Sequence, residues 1–303
     1  MRVTVTGATG LIGRRLVAAL RERGDEVTVL SRDPARARAS LGQADVQAAA
    51  WDPAAGPAPA EALAGRDAVV HLAGEPIAQR WSAGAKERIR ASREAGTANL
   101  VAGIAAAEPR PGVLVSASGV GYYGPRGDEV VTEGSAAGDD FLAQVCVAWE
   151  REAEQATGLG VRVVRLRQGV VLDPSGGALA KMLPPFRLGA GGPVAGGRQY
   201  LPWIHLDDLV ALQLRALDDA SWEGAYNACA PEPVTNRDFS KALGRALRRP
   251  AVAPVPAFAL RLLYGDMAEI VTEGQRAVPE RARAAGFAFA HADLDKALRD
   301  ALG

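Results

Sequence analysis

Seven residues near the N-terminus, Gly7-Ala8-Thr9-Gly10-Leu11-Ile12-Gly13, carry the clearest chemistry in the chain. Their three glycines recur at every third position, a spacing that lets bare main chain cradle a diphosphate. Gly7 allows a sharp turn out of a strand, Gly10 removes a side chain where backbone meets pyrophosphate, and Gly13 lets the next helix pack closely on the sheet. Amides opening that helix, from Gly10 through Leu11, Ile12 and Gly13, then face anionic oxygens. The helix dipole adds about 0.3–1 kcal/mol per favourable charge. A dinucleotide is the predicted ligand; a ligand-free strand-to-helix turn is the alternative. Ser31-Arg32 ends the following strand, where NAD-selective proteins place Asp or Glu on the ribose 2′-hydroxyl. A guanidinium there suits a 2′-phosphate, so NADP(H) is favoured over NAD(H). Asp33 follows at once, and a one-residue shift would favour NAD.

Other polar groups read less sharply. Glu75, Arg80 and Trp81 follow an apolar strand, and loops at the carboxyl ends of parallel strands converge on ligands. Trp81 could stack on a nicotinamide or substrate, or pack as a satellite of the core; Arg80 could hold an anion. Lys181 and Arg187 flank a Gly- and Pro-rich stretch and could meet an acidic substrate or simply face solvent. His205 beside Asp207 and Asp208 is a poor metal set, and a structural link is the reading adopted. Cys146 and Cys229 are the only cysteines, far apart, with no CxxC or Cys/His cluster. No metal is expected, and a reducing compartment is. Cys146 sits in an apolar helix with no His near it, so an inert thiol is expected.

These groups need a scaffold. Val3 and Val5 lead into the glycine turn; Ile12, Leu16 and Leu20 recur at helical spacing up to Gly24; residues 26–30 form a second strand. Strand, turn, helix and strand make a βαβ unit and hence a parallel sheet. Further strands are predicted at 67–73, 113–116 and 161–166, with helices through Ile89–Ile104 and 141–157. Residues 174–198 read as a long mobile loop, and the chain closes on an amphipathic helix. The fold expected is α/β, a Rossmann-type doubly wound parallel sheet with a smaller C-terminal α/β substrate domain. Residues 1–172 would bind the dinucleotide, 173–303 mainly the substrate, and 203–229 would return to the first unit. The chain has 303 residues, with 35 Lys plus Arg against 35 Asp plus Glu. There is thus no global basic field for nucleic acid. No window reaches the roughly 20 apolar residues of a membrane span. A cytoplasmic protein with a small-molecule substrate is expected, its oligomeric state left open.

With these elements in order, the chain resembles the extended short-chain dehydrogenase/reductases. More narrowly it is similar to their atypical epimerase-family branch, which carries a distinctive C-terminal domain. The pieces include TGATGLIG at 6–13, SR at 31–32, HLAGEPI at 71–77, SASGVGYYG at 116–124 and FLAQVCVAWE at 141–150. RQGVVL at 167–172, WIHLDDL at 203–209 and EGQRAVPERARAAGFAF at 273–289 continue the match nearly to the end. The resemblance implies further cofactor contacts at Leu72, Ala73, Arg93 and Arg167. Without it, Leu72 and Ala73 are plain core residues and Arg93 an ion-pair partner.

Typical members of that superfamily use a Ser, a Tyr and a Lys four residues after the Tyr, the cation lowering the tyrosine pKa. Here Ser82, Gly177, Arg237 and Ala292 stand four residues before the four lysines, so no Tyr-x-x-x-Lys exists. Leu142 and Cys146 fall roughly where Tyr and Lys belong. What survives is Ser118, in the strand-end position of the superfamily serine, where it could bond a substrate carbonyl or hydroxyl. Tyr123 or Tyr122 is the candidate acid; packing under the loop is the bland alternative for all three. The function expected is an NADP(H)-dependent oxidoreductase or epimerase for a small polar substrate. A non-catalytic NADP(H) sensor acting through a protein partner is the alternative.

Overall fold

The computed structural model describes residues 1–42 and 45–303. Arg2–Thr6 (β1) reads RVTVT and is buried from Val3 onward, as a strand covered on both faces must be. Glu26–Ser31 (β2), Gln47–Ala50 (β3), Ala68–His71 (β4), Val113–Gly119 (β5), Arg162–Gln168 (β6) and Gly224–Ala228 (β7) join it. All neighbours pair in parallel. The seven-stranded order is β7-β6-β5-β4-β1-β2-β3. The chain therefore reverses direction across the sheet between β1 and β4, the place where such sheets open a crevice for ligand.

Side-chain alternation explains the double layer. Val3, Val5, Ala68, Val70, Val113 and Val115 join one core cluster, whereas Val69, Leu114 and Val163 join another. Leu16, Val17 and Leu20 of helix α1 (Leu11–Glu22) cover the first face with Leu209 and Leu212 of a later helix. Helix α2 (Pro34–Leu41) follows β2. The second face is covered by Leu100, Val101 and Ile104 of helix α3 (Ala83–Ala106), with Ala153 of helix α4 (Phe141–Glu154).

Residues 174–198 are not one long loop. Gly177–Arg187 form helix α5 with Pro184 and Pro185 inside it. A proline in a helix interior costs about 3 kcal/mol, but Leu179, Leu183 and Phe186 bury themselves at helical spacing in a third cluster with Trp203, Phe239 and Leu298. Packing of that stripe outweighs local propensity. Helices α6 (Leu206–Asp218), α7 (Asn236–Leu247), α8 (Ala257–Tyr264), α9 (Ala268–Thr272), α10 (Glu280–Ala284) and α11 (Leu294–Leu302) complete the chain. Three short strand pairs flank the main sheet. One of them, Val170–Leu172 with Trp203–His205, brings the chain back to α6 and β7. His205 caps α6 through its Nδ1, which accepts from Asp207 N at 3.2 Å. Asp208 accepts from Ala290 N and His291 N, both at 2.9 Å. Asp207 Oδ1 accepts from Arg15 Nε of α1 at 2.7 Å, so His205 caps a helix and both aspartates tie elements together.

Candidate active site

The three glycines differ in what surrounds them. Gly7 has φ +67°, and a Cβ on it would lie 2.7 Å from the Leu72 carbonyl carbon and 2.8 Å from Ala73 N. A Cβ on Gly13 would stand 2.3 Å from Gly7 O and 2.6 Å from Ala8 Cα. Both are main-chain obstacles that cannot swing aside. Gly10 meets only Gly7 O, at 3.3 Å, and it is exposed; no protein packing requires its bareness as it does at Gly7 and Gly13. Thr6 fastens the end of β4 to this turn, its Oγ1 accepting from Leu72 N and Ala73 N at 3.2 Å each. It also lies 2.7 Å from His71 Nδ1. Burial, helped by the Arg93 charge, lowers the His71 pKa to about 4, so the imidazole is a neutral strut.

Beyond β2 lies a groove of about 730 Å³ lined by Thr9, Arg14, Ser31, Arg32, Asp33, Arg36 and Ser40. Asp33 caps α2, its Oδ1 accepting from Arg36 N at 3.0 Å. One carboxylate oxygen of Asp33 is thus spent on the helix end, beside the Arg32 and Arg36 side chains. Arg14 and Arg36 join Arg32 here, and neither was expected. Arg14 follows Gly13 directly and Arg36 sits three residues past the cap, but only folding brings the two helix ends together.

A second cavity of about 460 Å³ opens where β4, β5 and β6 end. Ile12 and Leu72 form its wall toward the glycine turn; Ser118, Cys146, Trp149 and Gln168 line it, with Arg93, Leu142 and Trp81. Arg93 is 7% exposed. Its Nη1 donates to the carbonyls of Glu75 at 3.0 Å and Ile89 at 3.3 Å, and its Nε has no partner. Burial holds its pKa below the ordinary value. Trp81 packs edge-on against Phe141 with centroids 5.1 Å apart, and its indole N–H donates to Ile77 O at 3.0 Å.

Several candidates stand elsewhere. Tyr123 is fully buried; its hydroxyl donates to Asn227 Oδ1 at 2.6 Å and accepts from Arg167 Nη1 at 3.0 Å. Burial pushes its pKa up to about 12, and it does not line the cavity. Tyr122 lies under the Arg167 guanidinium, 3.4 Å from ring centre to Cζ, also outside the cavity. Neither phenol is placed to be the acid. Arg167 itself faces away, clamping Glu150 through Nε to Oε1 and Nη2 to Oε2 at 2.8 Å each. Ser118 Oγ reaches the same carboxylate at 2.7 Å. Glu150 was not foreseen, although it stands one turn after Cys146, as Cys146 does after Leu142. Arg80 donates to the carbonyls of Leu262 at 2.5 Å and Leu263 at 3.3 Å, Lys181 to that of Ala78, and the Glu75 carboxylate accepts from Gln79 at 3.0 Å. None of these three lines the cavity; Trp81 alone of the substrate candidates does.

Residues 269–275 roof this cavity, and α8 leads into them. Glu269, Ile270, Glu273 and Gln275 line it from above. The roof is fastened by Arg80, by Trp81 N to Tyr264 O at 3.2 Å and by Lys86 to Asp266 at 2.5 Å. Phe258, Leu262 and Leu263 of α8 face solvent.

Burial, with the Glu150 charge adding to it, pushes the Cys146 thiol up to about 12. Cys229 is also raised by burial. Since the thiolate is the reactive species, native protein at pH 8 should leave both thiols unmodified over minutes with a disulfide reagent, and unfolding should release two. Fast labelling of one thiol in the native state would contradict this.

Residues 3–229 match the NAD dependent epimerase/dehydratase family. The chain belongs to that family. Residues 255–301 match a domain of unknown function, DUF1731. The chloroplastic epimerase family protein SDR39U1 homolog of Arabidopsis thaliana is 44% identical over 99% of this chain and 86% of its own length. The crystal structure of human epimerase family protein SDR39U1 (isoform 2) with NADPH superposes with a TM-score of 0.90 at 37% identity, covering 100% of both chains. A nucleoside-diphosphate sugar epimerase from Corynebacterium glutamicum, 35% identical, covers 100% of this chain and 58% of its own, with a TM-score of 0.79. The epimerase/dehydratase match thus takes in the glycine turn and the strand-end walls of the cavity, while the roof residues Glu269 to Gln275 fall within the DUF1731 match. No helix among the described residues is long and apolar enough to cross a membrane.

Proposed function

We propose that this chain is an NADP(H)-dependent oxidoreductase or epimerase acting on a small polar molecule. The observation that carries the reading is continuity: Ile12 and Leu72 belong both to the glycine turn and to the cavity wall. A dinucleotide lying across that turn would have one end in the arginine groove and the other in the cavity. The residues present fit it. Gly7, Gly10 and Gly13 keep side chains off the turn; the Gly10 amide is spent on Gly7 O at 3.0 Å, so the amides of Leu11, Ile12 and Gly13 opening α1 would meet the diphosphate. Ser31, Arg32, Arg14 and Arg36 suit a 2′-phosphate, and Leu72, Ala73 and Arg93 stand at the end of β4 and above it. The human relative solved with NADPH supports the same preference. When bound, the nicotinamide supplies or accepts a hydride. Ser118, on the cavity wall, would orient the reacting group, and Trp81, Phe141, Leu142 and Trp149 would exclude water from around it.

Calorimetric titration with NADPH and NADH tests the cofactor. Charge-assisted hydrogen bonds contribute about 1.5–3 kcal/mol, so Arg32→Ala should weaken NADPH by about 10- to 100-fold. NADH should change by no more than about twofold, since the lost contact is to a phosphate it lacks. Equal losses for both coenzymes would refute the 2′-phosphate assignment. A panel of aldehydes, ketones and sugar nucleotides then tests turnover. Leu142 and Cys146 on the cavity wall, where relatives of this fold place their relay, favour a second reading as a non-catalytic sensor. Tight coenzyme binding without turnover on any of the panel would select it.

A further inference from the structure

The Ser118 hydroxyl has one proton, and its neighbours determine where that proton goes. Ser118 Oγ lies 2.7 Å from Glu150 Oε1. Glu150 also accepts two hydrogen bonds from Arg167, and Arg165 Nη1 stands 3.8 Å from its Oε2. Both Glu150 and Arg167 are almost wholly buried, with side chains 4% and 5% exposed. A carboxylate in a two-pronged guanidinium clamp is ionised and can only accept. Burial opposes the Arg167 charge, but the hydrogen bonds and charge of Glu150 hold that guanidinium above its ordinary pKa. The Ser118–Glu150 hydrogen bond therefore uses the serine proton. Turning the proton toward the cavity would set two oxygen lone pairs against each other at that distance.

We propose that Glu150 is a positioning residue: its carboxylate accepts the Ser118 O–H hydrogen bond and so leaves the Ser118 Oγ lone pairs to act toward the cavity as an acceptor. The cavity then selects a ligand that offers an O–H or N–H at this point, an alcohol or amide in preference to a bare ketone or aldehyde. Of the two partners the sequence left open for this serine, a substrate carbonyl or a hydroxyl, this arrangement selects the hydroxyl. Helix α4 makes this possible because Cys146 and Glu150 follow Leu142 at one-turn intervals on the same helix, so the carboxylate comes one turn past the place where relatives of this fold put a lysine. The inference rests on the cavity being the substrate site, as argued under Proposed function.

Two measurements decide it. Neutron diffraction from deuterium-exchanged crystals should show the Ser118 deuteron between Oγ and Glu150 Oε1; a deuteron turned into the cavity overturns the proposal whatever the protein catalyses. The second is ligand-observed NMR on protein saturated with NADP⁺, using cyclohexanol and cyclohexanone as a pair of nearly equal shape. Cyclohexanol should bind about three- to tenfold more tightly, the worth of one hydrogen bond. Ser118→Ala should erase that preference. In Glu150→Gln, whose amide can donate to Ser118 Oγ, it should fall or reverse. Equal binding of the two probes, tighter binding of the ketone, or an unchanged preference in either variant overturns the assignment. If Ser118→Ala weakens NADP⁺ and leaves the alcohol preference intact, the serine serves the coenzyme and the proposal fails. Absence of heat on coenzyme titration would sink the function proposed above and would not move the deuteron.

Discussion

Arg167→Met should destabilise the protein by about 3–5 kcal/mol, because it leaves a buried carboxylate without its counter-charge. Glu150 is 4% exposed and would keep only the Ser118 hydroxyl and the more distant Arg165 as partners. The Tyr123 hydroxyl would lose its donor from Arg167. Urea unfolding should show a lower midpoint at unchanged slope. Arg167→Met combined with Glu150→Leu should recover most of the loss, since replacing both members of a buried pair with apolar groups is often neutral or stabilising. A double variant no more stable than the single one would mean that Arg167 acts through packing on Tyr122 rather than through charge.

The second large effect separates two glycines of one turn. Gly13→Ala drives a Cβ to 2.3–2.8 Å from main-chain atoms of Gly7 and Ala8. Helix α1 must then move off the turn, at a cost of about 1–3 kcal/mol or more for overpacking, and coenzyme binding should go with it. Gly10→Ala meets only Gly7 O at 3.3 Å, so the coenzyme-free protein should melt within a degree or two of the parent. Its coenzyme-induced stabilisation, about 2.7 kcal/mol at a hundred times Kd for the parent, should largely vanish. Calorimetric melting with and without NADPH measures both. If Gly10→Ala keeps the full coenzyme shift, nothing approaches the backbone there and the diphosphate placement fails.

What could be read beforehand follows from how local each feature is. The steric roles of Gly7 and Gly13 were legible because they depend on turn geometry within seven residues and one neighbouring strand end. Five of the seven strands were legible from runs of β-branched residues between helical stripes; the edge strands β3 (QAAA) and β7 (GAYNA) carry no such run and were missed. Arg32 could be named from its place after β2, whereas Arg14 and Arg36 could not, because their convergence depends on how α1 and α2 meet. Ser118 was visible as a strand-end serine, but the direction of its proton depends on Glu150 and Arg167, which lie 32 and 49 positions further on. The tyrosines misled for the same reason. Tyr123 is sealed by Asn227, 104 residues away, and no local pattern announces that. Helix α5 was hidden by its glycines and prolines, which speak for a loop until Leu179, Leu183 and Phe186 find a surface to cover.

The fastening of the roof has a consequence of another kind. Arg80 and the Trp81 amide hold Leu262, Leu263 and Tyr264 through the backbone, an attachment available to every amino acid. Closure is thereby blind to the identity of the side chains on α8. Those pointing to water can drift through substitution, or be tuned to new surroundings, without unfastening the cover, while the gripping arm at position 80 has no such freedom.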